Sequence, residues 1–306
     1  MASPMVVGMS VAGVVFLTMG GIVAARDVAD AEGLDKLIAL ACVFFAAPLG
    51  VFGMEHLTDA SEIAQLVPSW MPGHMFWAYF VGVALVAAAL SLSLKRYLRL
   101  TGVLVALMFF LFVLMMHIPG VAEHPRDRFF WAIAFRDLTF GSGALALAAA
   151  MTPGASRTRD QAAVTVARVF IGVALIVYGV EHFLHPGFAP GVPLAKVMPA
   201  WVPLPHLWAY LTGAVLLIAG VAILINRYTR DAAVWAGLVM VLLTVFLYVP
   251  ILATARSAGD IVVGLNYVFD TLMFGGAILL LALNFSRYRM TMESEQPAEI
   301  NVLQRG

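Results

Sequence analysis

The chain of 306 residues is 62% hydrophobic and only 12% charged, and its formal net charge at pH 7 is zero. A soluble domain is about half apolar and about a quarter charged, so this composition predicts that lipid surrounds most of the chain. The absence of net charge gives no indication of a nucleic-acid partner. Because Cys42 is the single cysteine, an intrachain disulfide, a CxxC redox pair and an iron–sulfur cluster held by this chain are excluded.

Apolar stretches of about 20 residues follow one another along the chain, and each is long enough to form a spanning helix. They are too long and too uniformly apolar to be strands of a membrane barrel. The first 25 residues contain no Lys or Arg, so the first stretch is expected to be a true span rather than a cleaved signal peptide. The predicted fold is an all-α polytopic membrane protein with nine transmembrane helices, at 5–25, 37–57, 74–94, 98–118, 129–151, 163–184, 206–226, 231–253 and 260–285.

Basic residues are concentrated in alternate connections between these spans. If the spans alternate in direction, 13 of the 18 Lys and Arg residues fall on one side. The positive-inside rule makes that side cytoplasmic, so the N-terminus is expected outside, the 290–306 tail inside, and the protein in the inner membrane. The 13 residues are Arg26, Lys36, Lys95, Arg96, Arg99, Arg157, Arg159, Arg168, Arg227, Arg230, Arg287, Arg289 and Arg305.

The two halves of the chain resemble each other. The segment 70–119 aligns on 201–250 at an offset of 131, with 15 identities in 50 positions, and "GMEHL" (53–57) aligns on "GVEHF" (179–183) at an offset of 126. Matched Trp, Pro, Tyr, Arg and Glu-His residues in one order indicate an internal duplication. The predicted organisation is a leading helix and linker (1–36), two parallel four-helix bundle repeats (37–155 and 156–289), and a cytoplasmic tail (290–306).

Several motifs of the second half resemble the DoxX-like family of four-helix membrane proteins. They are "GVEHFLHPGF", a loop ending "MPAWVP", the helix "WAYLTGAVLLIAGVAIL", and a basic turn before "VWAGLVMVLLTVFLYVPIL". The resemblance covers 163–285 well and 37–151 more loosely. It implies two fused four-helix units. It also implies a range of functions, because some relatives are subunits of a thiosulfate:quinone oxidoreductase and others are assembly or cargo factors.

Polar residues are predicted to form one cluster per repeat, in the extracytoplasmic half of the membrane. An ionisable group at mid-membrane costs on the order of 3 kcal/mol, so each cluster must pair internally, face water or bind a ligand. The first cluster comprises Glu55, His56, His117, Arg136 and Asp137. The second comprises Glu181, His182, Tyr248, Asn266 and Asp270.

One interpretation is that these clusters only join helices. Asp137 would pair with Arg136 or His56. The second repeat has no Arg in the span that contains Asp270, so His182 is the cation expected to pair with Asp270. The Trp- and Pro-rich loops between the first two spans of each repeat would form an aromatic belt at the membrane interface, or a lid over the cluster.

A second interpretation is that the clusters hold a metal or haem. His182 lies three residues and Glu181 four residues before His185, spacings that share a helix face. EH-x-x-H, and the aligned EH-x-x-D of Glu55, His56 and Asp59 in the first repeat, are plausible ligand sets for Zn, Fe or Cu. His56 and His117 would supply the two axial ligands of a haem. The second repeat has no histidine at the position of His117, and no metal ligands are assigned from the sequence.

The preferred interpretation is a quinone-linked redox subunit, with a quinone as the favoured cofactor and a haem or metal as less favoured ones. His56 and His182 would donate hydrogen bonds to the ligand, and His117, Tyr248 and Asn266 would line its site. Glu55, Glu181, Asp137 and Asp270 would exchange protons, while Arg136 would hold a negative charge. The alternative is a non-enzymatic membrane scaffold or assembly factor. The expected partners are the lipid bilayer and a redox or assembly subunit, with no nucleic acid.

Overall fold

Long apolar helices make up nearly all of the computed structural model, which describes residues 3–152 and 157–286. Nine helices in these ranges are long and apolar enough to cross a membrane, so the predicted all-α fold with nine spans is confirmed. The 290–306 tail, the basic side chains of Arg157, Arg159, Arg287, Arg289 and Arg305, and the repeat boundaries at 155/156 and 289/290 lie outside this description. The helices are α1 (Pro4–Asp30), α2 (Ala41–Thr58), α3 (His74–Ser93), α4 (Leu98–Glu123), α5 (Arg128–Ala150), α6 (Arg157–Leu184), α7 (Pro205–Leu224), α8 (Thr229–Ala253) and α9 (Ala258–Phe285).

Side-chain caps begin three of these helices. Ser3 accepts a hydrogen bond from the Val6 amide at the start of α1, and Asp127 accepts one from the Phe129 amide at the start of α5. At the start of α9, Ser257 and Asp260 form a reciprocal capping box. These caps satisfy amide groups that have no partner within the helix.

The same local geometry recurs in the two halves at the offset of 131. The turns before α4 and α8 both contain left-handed residues, Lys95 and Tyr97 in one and Asn226 and Tyr228 in the other. Both α4 and α8 contain a π-helical turn, at Val113–His117 and Thr244–Tyr248. A proline follows each π-helical turn by two residues, and the wider turn accommodates its missing amide. This recurrence is the pattern expected of an internal duplication.

Helix packing also crosses the boundary between the halves. The hairpin of α2 and α3 packs through α2 on α9, and the hairpin of α6 and α7 packs through α6 on α5. At the centre α5 packs directly on α9, where a side chain on Gly143 would meet the backbone of Ala277 at 2.5 Å. Small residues permit this approach. The helix pairs of the two halves are therefore interleaved rather than stacked as separate bundles.

Ion pairs at one end of the molecule fasten α1 and the following linker. Asp27 at the end of α1 is paired with Lys95 in the turn between α3 and α4, and Asp35 in the linker is paired with Arg230 at the start of α8. Burial lowers the pKa of the Lys95 amino group, and its pairing with Asp27 compensates part of the lost hydration. These contacts place the basic turns before α4 and α8 at the same end.

Candidate functional site

A buried ion network centred on Arg136 joins the middle of α5 to α9. Arg136 Nε donates to Asp137 Oδ1 at 2.8 Å, and Arg136 Nη1 donates to Asp270 Oδ2 at 3.0 Å. His117 Nε2, at the end of the π-helical turn of α4, donates to Asp137 Oδ2 at 2.7 Å. Both aspartates are buried. Asp137 lies nine residues into α5, roughly 14 Å at 1.5 Å per residue.

A second acid reaches this network from α2. Asn266 Nδ2 on α9 donates to Glu55 Oε1 at 2.9 Å. Glu55 also lies close enough to interact with the charges of Arg136 and Asp270, although it makes no direct ion pair with Arg136 among the described residues. We call Glu55, His117, Arg136, Asp137, Asn266 and Asp270 the Arg136 network.

The structure corrects the expectation of two separate polar clusters and of a His182–Asp270 pair. Asp270 pairs with Arg136 from the other half, and Asn266 pairs with Glu55 from the other half. The reason is the direct packing of α9 on α5 and α2, which brings side chains of both halves to one place. The cation that the sequence lacks in the last span is supplied by a helix 134 positions earlier.

The two predicted histidine donors have their Nδ1 atoms committed to the backbone. His182 Nδ1 donates to the carbonyl of Tyr178 at 2.6 Å, and His56 Nδ1 donates to the carbonyl of Phe52 at 2.7 Å. In the neutral imidazole the remaining Nε2 is then an acceptor. For His182 this role is filled, because the Gly191 amide donates to its Nε2 at 3.0 Å. Both ring nitrogens of His182 thus have protein partners, and neither is free to donate to a ligand in this structure.

A hairpin between α6 and α7, residues 187–198, enters the protein beside His182. Its two arms are joined by an isolated antiparallel bridge between Phe188 and Val197, and its tip, residues 189–194, is buried. The tip is fixed by hydrogen bonds to several helices. Tyr248 Oη donates to the Ala189 carbonyl at 3.2 Å, Thr271 Oγ1 to the Val192 carbonyl at 3.1 Å, and Arg128 Nη1 to the Leu194 carbonyl at 2.9 Å. The second half is thus closed by its own loop.

Glu181 lies apart from the Arg136 network. Its carboxylate is 3.5 Å from His185 Nε2 and 3.9 Å from Arg128 Nη1, and its side chain is 24% exposed. His182 does not share this contact, so the EH-x-x-H motif does not converge. Among the described residues no group of three or more His, Cys, Asp or Glu side chains could hold a metal ion.

The hydrogen bonds of His56 and His117 also do not favour a haem bound between these two side chains. His117 Nε2 is bonded to Asp137, and His56 Nδ1 to Phe52. Tyr248, the counterpart of His117, is fully buried and stacks on Tyr267 at 5.8 Å between ring centroids.

The sequence did not single out two residues near the 187–198 hairpin, Arg128 and Tyr178. Arg128 bonds the hairpin and lies 4.1 Å from the centre of the Phe188 ring. Tyr178 is fully buried and donates to the Ala132 carbonyl at 2.7 Å, which joins α6 to α5. Arg128 sits at a helix start, where a basic residue suggests only a membrane boundary. Tyr178 lies four residues before His182, and this i, i+4 spacing was the available signal.

A small pocket lies between α5, α6 and the hairpin, against Tyr178 and Glu181. Its cavity volume is about 20 Å³, which is room for a water molecule and not for an aromatic ring. The hairpin residues Pro193 and Leu194 form one wall. This pocket is therefore too small for a quinone head group.

Comparison with known proteins supports the family of the second half. Residues 163–249, which span α6, α7 and most of α8, match the family model DoxX. Residues 45–132 match the model of a domain of unknown function, DUF8561. No curated protein and no solved structure matches the chain. Residues 163–249 are therefore similar to the DoxX family, and the nine helices of membrane-spanning length in the described ranges fit an integral membrane protein.

Proposed function

We propose that the protein is an inner-membrane subunit of a quinone-linked redox system, in which the Arg136 network exchanges protons. The observation that carries the proposal is the charge composition of this network. Three carboxyl groups, of Glu55, Asp137 and Asp270, surround one guanidinium and one imidazole. Full ionisation of the acids beside a neutral His117 would leave two excess negative charges.

Excess charge at this depth is unfavourable because low-polarity surroundings hydrate it poorly. The proposal therefore expects at least one carboxyl group of the network to hold a proton. A quinone takes up two electrons and two protons when it becomes a quinol. The network would supply or accept these protons, and a redox partner subunit would supply or accept the electrons. The link to quinones follows from the resemblance to oxidoreductase subunits.

The second candidate is a non-enzymatic scaffold or assembly factor. It is favoured by the observation that each side chain of the network already has a protein partner, and that these bonds join α2, α4, α5 and α9. In that case the polar residues would only hold the helices together.

One experiment distinguishes the two candidates. The protein is purified in mild detergent, bound lipids are extracted for mass spectrometry, and infrared spectra are recorded at neutral pH. The redox proposal expects a stoichiometric quinone, together with a protonated-carboxyl band that is lost in Glu55→Gln, Asp137→Asn or Asp270→Asn. Asp231→Asn, at an exposed aspartate, is the matched control and should leave the band intact. A quinone-free protein without such a band would favour the scaffold.

A further inference from the structure

The first half leaves polar side chains partly accessible beside the Arg136 network, where α2 lies on one side and α4 and α5 on the other. Within the described residues α2 packs on α1, α3 and α9, and it makes no comparable contact with α4 or α5. Of the Arg136 side chain 22% is accessible, and of the His117 side chain 15%. These side chains therefore border an accessible space beside the Arg136 network, which we call the recess.

Polar atoms without partners line this part of the structure. His56 Nε2 is an acceptor, since Nδ1 donates to Phe52, and the described part of the chain provides no donor for it. The Asn266 Oδ1 atom is buried and has no hydrogen-bond partner there either. Arg136 uses Nε and Nη1 for its two carboxylates, which leaves Nη2 as a spare donor. A ligand would have to both donate and accept hydrogen bonds.

In the second half the 187–198 hairpin occupies the corresponding position. The position of His56 is taken by His182, whose Nε2 accepts from the Gly191 amide of the hairpin. The position of His117 is taken by Tyr248, which donates to the Ala189 carbonyl. The hairpin thus presents one donor and one acceptor, two residues apart, to the two sides of the space. His182 and Tyr248 are both fully buried, whereas His56 and His117 are partly exposed.

Chain length explains the difference between the halves. The offset between them grows from 126 before this loop to 131 after it, so the second half has five extra residues here. The shorter loop of the first half instead forms the helix Ala60–Ile63, whose Ala60 packs with Ala64 against Ala78 of α3. Within residues 59–73 only Ala60 and Ala64 are buried, in contrast to the buried tip of the longer hairpin.

We propose that the recess beside His56 and His117 binds the head group of a lipophilic quinol, and that the 187–198 hairpin is an internal plug of the corresponding space in the second half. A quinol hydroxyl donates and accepts, as the hairpin backbone does. One hydroxyl donates to His56 Nε2, and its oxygen accepts from Arg136. This inference rests on the proposed function and restricts the ligand site to one of the two halves.

The test compares the same substitution in the two halves. Binding of decylubiquinol to the purified full-length protein is measured by quenching of tryptophan fluorescence under anaerobic conditions. His56→Ala is expected to weaken binding about tenfold, the effect of losing one buried hydrogen bond. His182→Ala removes the equivalent side chain from the plugged half and should leave the affinity within about twofold of the wild type.

A second control covers the risk that His182→Ala does not fold. Thr271→Val removes another anchor of the hairpin and keeps the side-chain shape, and it should also retain the affinity of the wild type. Equal loss of affinity in both halves, or no loss in His56→Ala, would overturn the assignment of the site. If decylubiquinol fails to bind the wild-type protein at all, the quinone function itself is refuted, and the plug assignment loses its ligand.

Discussion

Arg136 is shared by two carboxylates on different helices, and at the scale of single residues this sharing decides what the polar side chains can do. Replacing one member of a buried ion pair is far more costly than replacing both, because the remaining charge has no compensation. The sequence identified Arg136, Asp137 and Asp270 as ionisable groups deep in the membrane. It could not identify their pairing, because Arg136 and Asp270 are separated by 134 positions.

Arg136→Met is expected to lower the free energy of unfolding by about 3–5 kcal/mol, because it leaves Asp137 and Asp270 without their cation. The measurement is unfolding by sodium dodecyl sulfate in mixed micelles. Arg99→Met, at an exposed arginine of α4, is the matched control. The double variant Arg136→Met with Asp270→Asn should recover part of the loss. A single variant as stable as the control would contradict the role assigned to the network.

The 187–198 hairpin shows at the scale of elements how a few extra residues change a site. Its tip contains Gly191 with a φ of +131°, and an added side chain there would lie 2.7 Å from Tyr248 Cε2 and 3.1 Å from Thr271 Oγ1. Only glycine meets both the conformational and the steric requirement. The loop's Pro and Gly content predicted an irregular connection, but burial of its tip depends on a space that the surrounding helices create.

Gly191→Ala is expected to displace the hairpin tip and to destabilise the protein by about 1–3 kcal/mol, the usual cost of overpacking. Amide hydrogen exchange at Val192 should become faster. Gly187→Ala lies in the same loop, where an added Cβ meets nothing within 4 Å, and it should leave exchange unchanged. Slow exchange retained in Gly191→Ala would show that the tip tolerates a side chain and is not tightly packed.

The contact between α5 and α9 is the second element on which the site depends. Gly143→Val is expected to push these helices apart, since a Cβ would lie 2.5 Å from Ala277, and to destabilise the protein by about 1–3 kcal/mol. Quenching by decylubiquinol should weaken with it, because the Arg136–Asp270 bond spans this contact. Gly21→Val in α1, where nothing lies within 4 Å, is the control. Equal stability of the two variants would refute the close packing.

At the scale of the whole molecule, the helix pairs of the two halves interleave, and their polar side chains form one central network instead of two. In the most apolar 18-residue stretch of the last helix, α9, 89% of the residues are buried, because helices of both halves cover it. The basic turns before α4 and α8 lie at one end, joined to α1 and its linker by ion pairs. The positive-inside rule predicts that this end lies in the cytoplasm.

This orientation predicts opposite reactivity for two introduced cysteines. Gln65→Cys, between α2 and α3, should react with a membrane-impermeant maleimide in intact cells, whereas Tyr97→Cys, between α3 and α4, should react only after permeabilisation. Both positions are exposed, and the native Cys42 is buried and silent. The reverse labelling pattern would place the basic turns outside and invert the topology.

The sequence by itself determined the membrane class, the nine spans and the positions of the ionisable residues. Composition and hydrophobic length are local properties that each segment carries alone, and lipid requires every span to satisfy its own backbone. Only the tertiary structure decided which polar groups meet. Gly143 allows α9 to reach α5, Arg136 then reaches Asp270, and the longer hairpin donates to His182 while His56 has no donor among the described residues. Such contacts join distant positions, and no periodicity or spacing along the chain records them.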